Sequence, residues 1–133
     1  MLRPILQRVT IRLAICDNSD LFREVLATVL ALEPGIEIVG EAINGAEGIE
    51  LARTQRPDAM LLDVSMPVMD GIEAIAGIHE ASPGTAVIML TGLTNSVVRE
   101  RALAAGATHF IEKGSDFPVI LETVRSAVAD RAT

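Results

Sequence analysis

The sequence predicts an α/β domain with a doubly wound, five-stranded parallel sheet. Three observations predict it. Short apolar runs alternate with segments of helical periodicity along the chain. Several of those runs are almost wholly apolar, as strands are when helices cover both faces of a parallel sheet. Half of the 133 residues are apolar, enough to build one buried core.

The elements follow in order. Residues 10–16 (TIRLAIC) read as the first strand. A helix spans 21–32, where Phe22, Val25, Leu26 and Val29 recur at i, i+3, i+4 and i+7 and Pro34-Gly35 ends the pattern. Residues 37–40 (EIVG) are the second strand, and 46–53 a helix entered through Asn44-Gly45. Residues 59–62 (AMLL) follow Pro57-Asp58 as the third strand, with a helix over 71–80 closed by Pro83-Gly84. Residues 86–90 (AVIML) are the fourth strand, 95–105 a helix broken at Gly106, and 108–111 (THFI) the fifth strand. Phe117, Ile120, Leu121, Val124 and Val128 repeat the helical spacing in the last segment. This βαβαβαβαβα order requires right-handed crossovers. It assigns 10–130 to one domain and leaves 1–9 as an N-terminal extension.

Composition narrows the function. Eleven basic against eighteen acidic residues give a net charge of −7, and such a surface repels phosphate backbones and anionic membranes. Three Phe with no Tyr or Trp provide no stacking platform for single strands. The single cysteine, Cys16, excludes an internal disulfide and a Cys-based zinc cluster, and fits a reducing cytosol as a buried small hydrophobe. No secretory core and no 18-residue apolar run is present. The expectation is a cytoplasmic protein without direct nucleic-acid or membrane binding. His79 and His109 are isolated in sequence and read as structural.

The chemistry lies in what ends each strand. Asp17-Asn18 follows the first, Asp63 the third and Thr91 the fourth, and Lys113 comes just past the fifth. Open parallel sheets bind ligands outside the carboxyl ends of their strands, so these groups are aimed at one rim. Asp17 and Asp63 offer hard oxygens suited to Mg²⁺. Lys113 and Thr91 offer an ammonium and a hydroxyl to anionic oxygens. Together they are equipment for phosphoryl transfer onto a carboxylate. Of eleven basic side chains ten are Arg, and the one Lys is Lys113; a compact ammonium suits a small phosphoryl pocket.

The run Leu62-Asp63-Val64-Ser65-Met66-Pro67-Val68-Met69-Asp70-Gly71 resembles the D-x-x-M-P-x-M-D-G signature of response-regulator receiver domains. Asp17-Asn18, Thr91-Gly92, Phe110 and Lys113 match further family positions in order and spacing, so the resemblance covers roughly residues 12–129. The stretches Asp20-Leu21-Phe22-Arg23-Glu24 and Lys113-Gly114-Ser115 are similar to receivers of LuxR-type regulators. The resemblance implies a flavodoxin-like (βα)5 fold with strand order 2-1-3-4-5. It implies Asp63 as phosphoacceptor, with Thr91 and Lys113 holding the phosphoryl oxygens. Mg²⁺ would be held by Asp17, Asn18, Asp63 and the Ser65 carbonyl, and Thr91 and Phe110 would form the switch. The implied partners are a sensor histidine kinase and a downstream protein or an output domain controlling transcription, with homodimerisation a further option. The end of the chain fits either a natural terminus or a cut before such a domain.

Two departures matter. Asn18 stands where the family usually has a second acid, which lowers the ligand charge and predicts weaker Mg²⁺ binding. Asp20, two residues on, reads as the cap of the first helix. Gly114 replaces the usual Pro after the lysine and predicts a looser turn. Asn18 also favours a second reading, a pseudo-receiver that acts as a constitutive protein-interaction module. A third, a small phosphatase with an Asp nucleophile, lacks the second acid, because Ser65 stands two residues after Asp63.

Overall fold

A computed structural model describes residues 10–92 and 96–131. The 1–9 extension and Asn95, the expected start of the fourth helix, lie outside the described residues. Five strands, β1 (Ile11–Cys16), β2 (Ile36–Ala42), β3 (Ala59–Asp63), β4 (Ala86–Thr91) and β5 (His109–Glu112), alternate with five helices. These are α1 (Asp20–Ala31), α2 (Gly45–Gln55), α3 (Gly71–Ala81), α4 (Ser96–Ala105) and α5 (Phe117–Arg131). The strands are parallel and ordered 2-1-3-4-5, the expected doubly wound, flavodoxin-like sheet.

Period-two alternation divides the strands between two apolar layers. Leu13, Ile15, Leu61, Ile88 and Leu90 face α1 and α5, meeting Leu26, Leu30, Leu121 and Val124. Ala14, Cys16, Met60, Leu62, Val87 and Met89 face the other way, onto Ala52, Ile75, Ile78 and Ala102 of α2, α3 and α4. Both faces being covered explains why β3 and β4 are buried at every residue.

The helix starts sit beside the carboxyl ends of the strands. Ser19, not Asp20, is the N-cap of α1: its backbone is extended and its hydroxyl accepts from the Phe22 N–H at 3.3 Å. Asp20 is already in the first turn, so its carboxylate is free to pair with Arg23. Asn44 caps α2, and Asp70 caps α3 in a capping box with Glu73. Gly71 allows α3 to begin against the strand end, since a Cβ there would lie 2.1 Å from the Asp63 carbonyl oxygen.

Candidate functional site

The switch point falls between β1 and β3, whose outward crossovers run to opposite sides of the sheet. Asp17 leaves β1 there, and Asp63 ends β3 beside it. Asp17 is fully buried. Its N–H donates to the Ala42 carbonyl at 2.9 Å, and its Oδ1 accepts from the Ser19 N–H at 2.8 Å. Asp63 is 3 % exposed, and its Oδ1 accepts from the Ser65 N–H at 3.2 Å.

Lys113 reaches over from the end of β5. Its Nζ lies 2.7 Å from Asp17 Oδ2 and 3.2 Å from Asp63 Oδ2. The shorter contact is a close ion pair, so one ammonium bridges both carboxylates. The Lys113 stem is steadied from two sides. Its N–H donates to the Thr91 carbonyl at 3.0 Å, and its ammonium stands 4.9 Å from the centre of the Phe22 ring. Asn18 turns its carboxamide nitrogen toward Asp63 Oδ2 and the Ser65 carbonyl, 3.2 Å from each; the reverse orientation would set oxygen against oxygen.

The electrostatics follow from crowding. Burial, and then the neighbouring Asp17 charge, push the Asp63 carboxyl above its usual range, and Lys113 and the Ser65 N–H offset this only in part. Burial works against the Lys113 charge, but the two carboxylates outweigh it and hold the ammonium above its ordinary value. The Cys16 thiol behind them is pushed up to about 12, by burial first and then by Asp17 and Asp63, and stays a neutral core group.

The rim encloses a cavity of about 540 Å³ bordered by Asn18, Asp63, Ser65, Thr91, Gly92 and Lys113. The structure thus brings together Asp17, Asn18, Asp63, Ser65, Thr91 and Lys113. Phe110 stands apart from that cavity: it packs half-buried against the α2–α4 layer, with the Arg99 guanidinium 4.3 Å over its ring. Gly114 has open space where a Cβ would lie. The two histidines are not isolated in space. They share a second cavity of about 390 Å³ at the amino-terminal edge of β4 and β5, where His109 bridges Thr108 (2.7 Å) and Asp130 (2.9 Å).

Two features escaped the sequence reading. Arg23 is buried and joins Asp20, Glu41 and the Asp17 carbonyl; only its i, i+3 spacing from Asp20 is visible in sequence. Val68 holds a left-handed backbone (φ 67°) with its side chain 84 % exposed, and no local signal marks a β-branched residue for that conformation.

The donor set fits Mg²⁺. Asp17 Oδ2, Asp63 Oδ2 and the Ser65 carbonyl offer an all-oxygen donor set: the Lys113 ammonium already bridges the first two and the Asn18 N–H₂ the last two. Among the described residues no three His, Cys, Asp or Glu side chains form a metal cluster. Mg²⁺ does not need one, because it commonly uses one or two carboxylates and keeps several waters.

Residues 13–125 match the response regulator receiver domain family. The chain belongs to that family. Among curated relatives, the receiver is 40 % identical over 124 residues to a protein-glutamate methylesterase/protein-glutamine glutaminase of Alkalilimnicola ehrlichii, covering 91 % of this chain and 32 % of that protein. It therefore spans about a third of the length of that relative. Among solved structures it resembles the signal receiver domain of the response regulator NarL from Mycobacterium tuberculosis (32 % identity, TM-score 0.86, covering 90 % of this chain and 97 % of that one). It also resembles a LuxR-family two-component response regulator from Aurantimonas sp. (27 % identity, TM-score 0.85, covering 92 % and 87 %). No helix among the described residues is long and apolar enough to cross a membrane.

Proposed function

We propose that this receiver is a phosphoacceptor switch in which Asp63 takes a phosphoryl group from a sensor-kinase histidine or a small phosphodonor. The observation that carries the reading is the Lys113 ammonium, 2.7 and 3.2 Å from two buried carboxylates at the mouth of a cavity that Thr91 also borders. An Asp63 oxygen attacks phosphorus in line. The P–N bond to the imidazole breaks and its electron pair stays on nitrogen, leaving an acyl phosphate on Asp63. Lys113 exchanges its contact with Asp63 for a phosphoryl oxygen, and the Thr91 hydroxyl donates to another. Asp17, Asp63, the Ser65 carbonyl and the Asn18 carboxamide would hold Mg²⁺, which would supply the remaining charge neutralisation. Asn18 must turn its oxygen inward to take part.

The readout is mechanical. Thr91 moves toward the phosphoryl group, and Phe110 turns into the space it vacates, away from Arg99. The face formed by α4, β5 and α5 then changes its shape and charge. Its reader is a downstream protein or an attached output domain. The receiver would meet its kinase in the cytoplasm.

The second reading, a constitutive interaction module, draws on the Asn18 amide bridging the same oxygens a cation would use. Incubation with acetyl phosphate and millimolar Mg²⁺, followed by intact-mass and peptide analysis, separates the two. The switch requires one phosphoryl group on Asp63 and none in Asp63→Asn. Absence of any adduct on the wild-type chain supports the module.

A further inference from the structure

Arg23 is the only buried lysine or arginine among the described residues, and the phosphoryl chemistry does not touch it. Each of its three nitrogens makes one bond. Nη1 donates to the Asp17 carbonyl at 2.8 Å, Nη2 meets Asp20 at 2.9 Å, and Nε meets Glu41 at 3.0 Å. These partners belong to three segments: the turn after β1, the first turn of α1 and the carboxyl end of β2. Burial works against the guanidinium charge, but Asp20 and Glu41 outweigh it. A guanidinium can hold three such acceptors in one plane, whereas an ammonium cannot.

The Asp17 carbonyl belongs to the peptide that joins Asp17 to Asn18. On its other side, the Asp17 N–H is tied to Ala42 at 2.9 Å. Arg23 therefore closes the second of two ties that fix the Asp17 backbone against β2. With Oδ1 committed to the Ser19 N–H, Oδ2 is the oxygen that meets the Lys113 ammonium beside Asp63, and its height is set by that backbone.

We infer that Arg23 is a positioning residue for the divalent-cation site, holding the Asp17–Asn18 peptide so that Asp17 Oδ2 and the Asn18 carboxamide stand level with Asp63. The inference rests on the reading of this corner as a Mg²⁺ site and adds a residue that contacts no ligand. Its carboxylate partners are far more open to solvent than Arg23 itself, Asp20 at 79 % and Glu41 at 38 % against 11 %, and such solvent-screened pairs contribute little to stability, so the hold on the Asp17 carbonyl is the part the geometry singles out. A purely electrostatic part predicts the opposite sign, since removing a cation beside the two carboxylates tightens Mg²⁺. Outer partners of metal-ligating groups typically change metal affinity by about 10–100-fold when removed.

The test is a Mg²⁺ titration of the whole chain, followed by calorimetry and by the Mg²⁺-dependent rise in Tm, because there is no Trp or Tyr to report by fluorescence. Arg23→Lys keeps the charge and loses the fork; it should bind Mg²⁺ roughly tenfold more weakly than wild type, and Arg23→Met more weakly still, toward about 100-fold. Amide exchange at Asn18 and Ser19 should quicken in both variants without metal. If Arg23→Met does not fold, Arg23→Lys decides alone. Variants that bind Mg²⁺ with wild-type or tighter affinity overturn the inference, whatever their Tm. A wild-type chain that binds no Mg²⁺ overturns the cation site itself, a result distinguishable from equal binding by all three proteins.

Discussion

In the proposed switch the attacking carboxylate must be ionised and reachable, and at Asp63 these requirements oppose each other. Burial and Asp17 raise its pKa above 3.8, so the native state is penalised for ionising it. The sign is fixed: the penalty is full above the raised pKa and disappears as the pH falls through it toward 3.8. Asp63→Asn should therefore raise the metal-free Tm by a few degrees at neutral pH, with the gain shrinking in acid. A lower Tm at pH 7 would contradict the crowding described. Asn18 eases the same crowding by presenting an amide N–H₂ to Asp63 and Ser65. Asn18→Asp restores a negative ligand and should tighten Mg²⁺ several-fold while lowering metal-free stability; unchanged Mg²⁺ affinity in calorimetry would refute this. Val68 carries a different cost. A β-branched residue at φ 67° is strained by about 1–2 kcal/mol, and its side chain is open to solvent. Val68→Gly should raise the unfolding free energy in a urea titration by an amount of that order, less the entropy glycine adds to the unfolded chain.

Among the elements, α3 matters most to the site, because it starts on the loop that leaves Asp63. Its Gly71 N–H donates to the Val64 carbonyl at 3.0 Å, and the Asp70–Glu73 box closes its first turn at 2.9 and 3.1 Å. Asp70→Ala should cost about 1 kcal/mol in urea unfolding, the usual cost of losing such a cap; no change would mean the box is idle in solution. Elements were legible where burial is two-sided, as in the continuous apolar runs of β3 and β4, whereas the expected α1 stripe of Phe22, Val25, Leu26 and Val29 is rotated: Val25 is 54 % exposed and the buried face is Arg23, Leu26, Ala27 and Leu30. Their ends were less legible, because polar groups with a task sit there. Asp63 and Thr91 end the apolar pattern, yet they pair in register with Leu90 and Glu112 as strand residues. At the sheet edge, exposed Glu41 cut β2 short in sequence, although its ladder to β1 runs from Ile36 to Ala42.

For the whole molecule, the strand order converts distant sequence positions into one rim. Asp17, Asp63, Thr91 and Lys113 were readable because each follows an apolar run, and a parallel sheet delivers every run's carboxyl end to the same edge. Partners that connect through side chains alone, such as Arg23 with Glu41 or Arg99 with Phe110, leave no periodic trace. The same rim sets the alkaline limit. The raised Lys113 pKa contributes stability that is complete below 10.5 and is lost as the pH climbs through the raised value.

The central claim is that this rim makes Asp63 the acceptor of a phosphoryl group from a P–N donor. Radiolabelled phosphoramidate with Mg²⁺ tests it most directly. The account predicts one equivalent of label or less, released by hydroxylamine as an acyl phosphate is, dependent on Mg²⁺ and Lys113, and absent from Asp63→Asn. Label that persists in Asp63→Asn, or a wild-type chain that takes up none, would contradict it.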